Sequence, residues 1–289
     1  MKIAVIGNCQ VQTIGACLRV LLPDAEVHDL WTSPQRQEAS EAMLAGIEAY
    51  DVVCMHPMHS GTFGPFVHDV LRSKVDRLLF IPPLAFDGFQ PDDIVIAAAR
   101  GPFGNHHSAI IVSSFLHGLT VDRCAKLFNG FIYASLGYFE RFEQSKQVLL
   151  QRTDKYELPL HDHWACWDAP FMYDVQHPKL QPLASLAEVL ASRINGGKDV
   201  RATWLATEVP TDFGKKNFFR WPVYPEIARH LRVPPDDMVF RYPHTSPGID
   251  LCQFIHRSYQ AYANLDRAVL EAAVPIEYPI LQELVRRDS

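Results

Sequence analysis

Ile3 to Ile6 form an unbroken apolar run, rich in β-branched side chains, that stops at Gly7. A short run of this kind ending at a glycine predicts a buried strand. The period then changes. Val11, Ile14, Ala16, Cys17, Leu18, Leu21 and Leu22 recur at helical spacing, and Pro23 closes the helix. Further along, the pattern predicts strands at Glu26 to Leu30, Asp51 to Met55 and Arg77 to Ile81, the last halted by Pro82-Pro83. Helices are predicted between them at Gln35 to Ile47 and Pro65 to Ser73. Strands alternating with helices at this spacing imply a parallel sheet with helices on its faces.

After about residue 100 the helical period dominates. Ser108 to His117, Val121 to Phe128, Gly137 to Leu150, Leu183 to Ile194, Tyr224 to His230, Leu251 to Tyr262 and Ile280 to Arg287 all carry it. Arg152 to Leu160 and Asn195 to Asp199 read as linkers. The fold class expected is therefore α/β: an N-terminal parallel sheet flanked by helices in residues 1–100, followed by a helix-rich part in residues 101–289. The two parts are expected to pack as one unit. There is no internal repeat and no low-complexity tract.

Composition narrows the function classes. Of 289 residues, 48% are hydrophobic and 21% charged, the balance of an ordinary soluble globular protein. The net charge of −6 disfavours nucleic acid as a partner, since that surface is normally basic. No stretch reaches the length of a membrane span, and the N-terminal apolar run is too short for a signal-peptide core. The six cysteines are scattered, without a C-x-x-C pair, which fits reduced thiols and a cytoplasmic location.

The chemistry concentrates at Gly7-Asn8-Cys9-Gln10, the predicted turn from the first strand into the first helix. Ligands of parallel α/β sheets bind beyond the carboxyl ends of the strands. The free N–H groups of a helix start favour an anion, an oxyanion or a thiolate, and a thiol placed there ionises more readily. The alternative is a small buried cysteine after a structural glycine. Three polar side chains in a row, where a turn needs only glycine, weigh against that. The second and third glycines of a dinucleotide fingerprint are missing.

Other candidates lie further on. Gly104-Asn105-His106-His107-Ser108 opens a predicted helix and offers an imidazole for acid–base work, or else caps the helix. His56-Pro57-Met58-His59 follows the third strand and could supply a base or line a pocket. Histidines are numerous, but no H-E-x-x-H or Cys/His metal pattern appears, so no metal is expected. Phe213 to Arg220 combines Lys215, Lys216 and Arg220 with aromatics, which suits the phosphates and adenine of a nucleotide-bearing cofactor; a solvated basic turn is the alternative.

Several of these motifs together resemble the WcbI-like family of polysaccharide (capsule) biosynthesis proteins, regarded as coenzyme A-binding acetyltransferases. The resemblance is carried by Gly7-Asn8-Cys9-Gln10, His107-Ser108, Leu136-Gly137-Tyr138-Phe139, Phe171-Met172-Tyr173 with His177-Pro178-Lys179-Leu180, and Trp221 to Ala228. It implies an acyl-CoA donor, acetyl-CoA by expectation, a sugar hydroxyl or polysaccharide precursor as acceptor, a cytoplasmic enzyme and a homodimer. The Gly-Asn-Cys turn also resembles the first block of SGNH-type hydrolases with cysteine for serine. No Asp-x-x-His block near the C-terminus completes a triad, and an esterase is the alternative activity; a non-catalytic CoA- or nucleotide-binding component is another. On this reading Cys9 is nucleophile or pocket wall, Asn8 with the backbone N–H groups around Cys9 and Gln10 holds the oxyanion, and His107 is the base. Gly7, Gln10, His59, His106, His177, Lys215, Lys216 and Arg220 are expected to contact substrate or CoA.

Overall fold

Strand β1 (Lys2–Gly7) runs through the middle of the sheet, with every residue from Ile3 to Gly7 buried. In this computed structural model, which describes residues 1–32, 37–57, 66, 68–158, 167–198, 200, 219–242 and 246–287, β1 pairs in parallel with β2 (Glu26–Trp31) on one side and β3 (Val52–Met55) on the other. β4 (Leu78–Phe80) adds to β3, giving the order β2-β1-β3-β4. The fully apolar sequences of β1 and β3 follow from burial on both faces, as parallel sheets require.

Helix α1 (Gln10–Leu21) returns from β1 and lays Val11, Ile14, Cys17, Leu18 and Leu21 inward. It packs against β2 and against α8 (Leu180–Ile194). Gly15 permits that approach, because a Cβ there would lie 2.8 Å from Oδ1 of Asp29. The onset of α8 is three residues earlier than the pattern predicts. Pro182 falls in its first turn, where proline's missing N–H costs nothing. A smaller α2 (Gln37–Ala45) and α3 (His68–Arg72) connect the remaining strands.

The chain divides into two compact units, and the division is not near residue 100. Unit 1 comprises Met1–Ala85, Val148–Trp167 and Pro178–Gly214; unit 2 comprises Phe86–Gln147, Asp168–His177 and Lys215–Ser289. Unit 1 thus holds the parallel sheet together with α8, a helix from far along the sequence.

Unit 2 is mostly helical, with α4 (Ala109–Leu116), α5 (Val121–Ala125), α6 (Gly130–Ser135) and the helix Leu251–Tyr262. The sequence pattern misses α6 and a further helix at Arg267–Ala273. It also misses a two-stranded antiparallel ribbon formed by β5 (Asp93–Val95) and β6 (His106–Ser108). His106 and His107 are therefore strand residues, not the opening of a helix. The helix begins at Ala109, and Ser108 caps it by accepting the Ile111 N–H at 3.1 Å. α7 (Arg141–Lys155) continues through the start of the predicted linker at Arg152. Aromatic rings fill this unit: Phe86, Phe89, Phe142 and Phe171 cluster with centroids 4.8–5.3 Å apart.

Candidate functional site

The turn after β1 is built around His56, the residue that follows β3. A Cβ on Gly7 would lie 2.6 Å from Nδ1 of His56 and 2.9 Å from Cγ1 of Val11, so only glycine fits. The vacated space lets Asn8 N–H donate to His56 Nδ1 at 3.3 Å. That bond fixes the neutral tautomer with hydrogen on Nε2. His56 is 3% exposed, and burial pushes its imidazole down to about 3. Its Nε2 has no hydrogen-bond partner among the described residues. The Gly7 carbonyl accepts from both the backbone N–H and the hydroxyl of Thr32.

Asn8 then folds over the helix start. Its Oδ1 accepts the Gln10 N–H at 2.9 Å, and its carbonyl accepts the Val11 N–H at 3.2 Å. The side-chain Nδ2 and the Cys9 N–H remain as donors without a partner among the described residues. The expectation that the Gln10 N–H joins an oxyanion site is corrected here, since Asn8 takes it. Gln10 itself is not positioned for a ligand. It is buried, and its amide makes a reciprocal pair with the Leu84 backbone, 2.8 Å from Nε2 to the carbonyl and 2.9 Å from the N–H to Oε1. Gly7 and Gln10 shape the turn.

Cys9 occupies the N-cap position of α1 in a helical conformation, half-buried and without a side-chain capping bond. Other thiols differ. Cys17 and Cys54 are buried, and burial pushes both up to about 12; Cys124 is raised to about 11 by the same cause. Cys252 is exposed. Cys9 thus combines partial access with a helix N-terminus.

Unit 2 contains the histidine chemistry. His107, expected to be a base, is fully buried and hydrogen-bonded through Nδ1 to the Tyr262 hydroxyl at 3.0 Å. Burial pushes its imidazole down to about 4. It fits a structural role better than proton transfer. His106 and His177 are different, since each holds a carboxylate at Nδ1. Asp93 lies 2.9 and 3.0 Å from Nδ1 of His106, and Asp174 lies 2.8 and 2.7 Å from Nδ1 of His177. The two rings are 6.0 Å apart, with Phe219 packed against both at 4.7 and 6.2 Å. The Asp93 carboxylate raises His106, while desolvation lifts Asp93 to about 6; the His177 ring holds Asp174 low.

Asp93 and Asp174 are candidate residues that the sequence pattern does not single out. Asp174 had a signal. Asp174-Val-Gln-His177 is an Asp-x-x-His spacing placed in mid-chain rather than near the C-terminus. Oδ1 of Asp174 accepts the N–H groups of Gln176 and His177, and this turn brings the imidazole back onto its carboxylate. Asp93 gave no sequence signal, because the pairing of β5 with β6 brings it beside His106. Arg220, expected at a phosphate, gives its guanidinium to Asp236 and both backbone groups to Arg241. His59, Lys215 and Lys216 lie outside the described residues.

A family model described as "Polysaccharide biosynthesis enzyme WcbI" matches residues 2–197. A solved structure described as a novel polysaccharide biosynthesis enzyme, WcbI, in a native form without a disulfide bond between CoA and one of its cysteines, superposes with a TM-score of 0.74. The alignment covers 99% of this chain and 98% of that one at 14% identity, so it speaks for a shared fold. No curated protein matches. The family match spans about two-thirds of the chain, including the turn at Cys9 and the Asp174–His177 pair, and the chain belongs to the WcbI family of polysaccharide biosynthesis enzymes.

Proposed function

We propose that this enzyme transfers an acyl group, acetyl in the simplest case, from coenzyme A to a sugar hydroxyl during surface polysaccharide assembly. The observation that carries this reading is Cys9, a half-buried thiol at the start of α1 flanked by two donors without a partner among the described residues, Asn8 Nδ2 and its own N–H. The solved relative is described as a native form without a disulfide bond between CoA and one of its cysteines, and CoA named beside a cysteine there supports a thiol cofactor here.

In the proposed route the Cys9 thiolate attacks the carbonyl carbon of the acyl-CoA thioester. The carbonyl oxygen takes the negative charge, held by Asn8 Nδ2 and the Cys9 N–H, and CoA leaves as its thiolate. One thioester replaces another, so the step is nearly balanced in energy. The sugar hydroxyl then attacks the enzyme thioester, giving its proton to a histidine, and Cys9 is released. Within unit 2, His177 is the histidine suited to taking up a proton: Asp174 orients it, and its side chain is 16% exposed where His107 is sealed.

The test uses purified full-length protein with acetyl-CoA, followed by intact-mass measurement after acid quench. An increment of one acetyl group on the wild type, absent in Cys9→Ala, is the expected result. A Cys9→Ala variant that transfers acetyl to an acceptor sugar at the wild-type rate would refute the covalent route. Release of acetate from acetylated sugars without CoA would mark the enzyme as a hydrolase.

A further inference from the structure

We propose that His106, Asp174 and His177 form a binding site for one divalent transition-metal ion of the zinc type. One donor atom from each lies within 4.8 Å of the other two. The donors around a tetrahedral zinc ion sit about 3.3 Å apart, given zinc–nitrogen and zinc–oxygen bonds of about 2.0–2.1 Å. Small side-chain rotations close that difference. Two imidazoles and a carboxylate are a donor set suited to such ions and unsuited to calcium or magnesium, which prefer oxygen.

The surroundings favour the same occupant. Asp93 holds Nδ1 of His106, which leaves Nε2 to bind, and a carboxylate behind a ligating imidazole is the usual outer partner in zinc sites. Asp93 and Asp174 both have fully buried side chains, and among the described residues their ion-pair partners are the two histidines. Two carboxylates in a dry setting attract compensating positive charge, and Phe219 shields the group on one side. Asp174 is prearranged by two backbone N–H groups. The three donors come from a strand and a tight turn, which hold their backbones firmly.

Binding stands apart from the acyl-transfer reading.

The experiment is calorimetric titration of chelator-treated full-length protein with zinc chloride. The wild type should take up one ion per chain, and Asp93→Asn should bind about 10–100-fold more weakly. His106→Asn combined with His177→Asn should abolish uptake, while Cys9→Ser should bind like the wild type. X-ray absorption at the zinc edge of the wild type needs no variant and should show two imidazole ligands. Absence of stoichiometric uptake by the wild type, a spectrum without paired imidazoles, or equal uptake by the double variant overturns the site, whatever the acetylation assay shows.

Discussion

At the scale of single residues, the missing side chain of Gly7 decides the geometry of the turn. A methyl group there would collide with His56 and Val11 at under 3 Å. Gly7→Ala is expected to destabilise the fold by about 1–3 kcal/mol, the range for forcing extra volume into a packed site. On the acyl-transfer proposal, that activity should fall more steeply than stability, because the displaced ring releases the Asn8 N–H. Urea unfolding beside a transfer assay measures both. His56 has its own pH signature. Its folded value is about 3 and the unfolded value 6.5. Below pH 6.5 the unfolded chain takes up a proton that the folded chain refuses. Its contribution is therefore complete above pH 6.5 and is lost as pH falls toward 3, with a slope approaching 1.4 kcal/mol per pH unit at about one proton. Comparing wild type with His56→Gln between pH 6.5 and about 4 should show that slope in the difference. A flat difference would mean the ring is not held neutral.

At the scale of elements, Asp92 ties several segments of unit 2 to one buried carboxylate. It accepts from the hydroxyls of Tyr138 at 3.1 Å and Tyr224 at 2.6 Å and from the Ile110 N–H at 2.9 Å. Asp92→Asn keeps the shape but turns an NH2 toward donors, leaving at least one unpaired. A loss of about 1–3 kcal/mol is expected, measured by thermal unfolding. The strands and first helices of unit 1 were legible because their environment is simple. β1 and β3 are buried on both faces and read as continuous apolar runs, and α1 has one apolar face. The β5–β6 ribbon was illegible for the opposite reason. His106-His107-Ser108 carries no apolar alternation, and only its partner strand makes it extended. The same pairing hid Asp93. At the turn, Gly7, Asn8 and Cys9 announced themselves by residue type, while the service of Gln10 to Leu84 depended on a contact 74 positions away.

At the scale of the whole molecule, the chain passes between its two units more than once. A boundary near residue 100 follows composition, whereas the units follow packing. The consequence is a prediction about fragments. Residues 1–100 contain the four parallel strands of the described sheet but lack α8, which packs on α1 and has Leu183, Leu186, Ala187 and Leu190 among its buried residues. Expressed alone, that fragment should fail to fold, giving poorly dispersed amide resonances. Adding residues 148–198 in trans or by fusion should restore dispersion. A well-folded fragment would show that α8 is dispensable.

The pairing of α1 with α8 also bears on how the protein is made. About 160 residues separate the two helices along the chain. At typical translation speeds, the apolar face of α1, next to Cys9, waits roughly ten to thirty seconds for its cover to emerge from the ribosome. Nascent chains paused in that interval should be the ones that chaperones hold and that oxidants reach first.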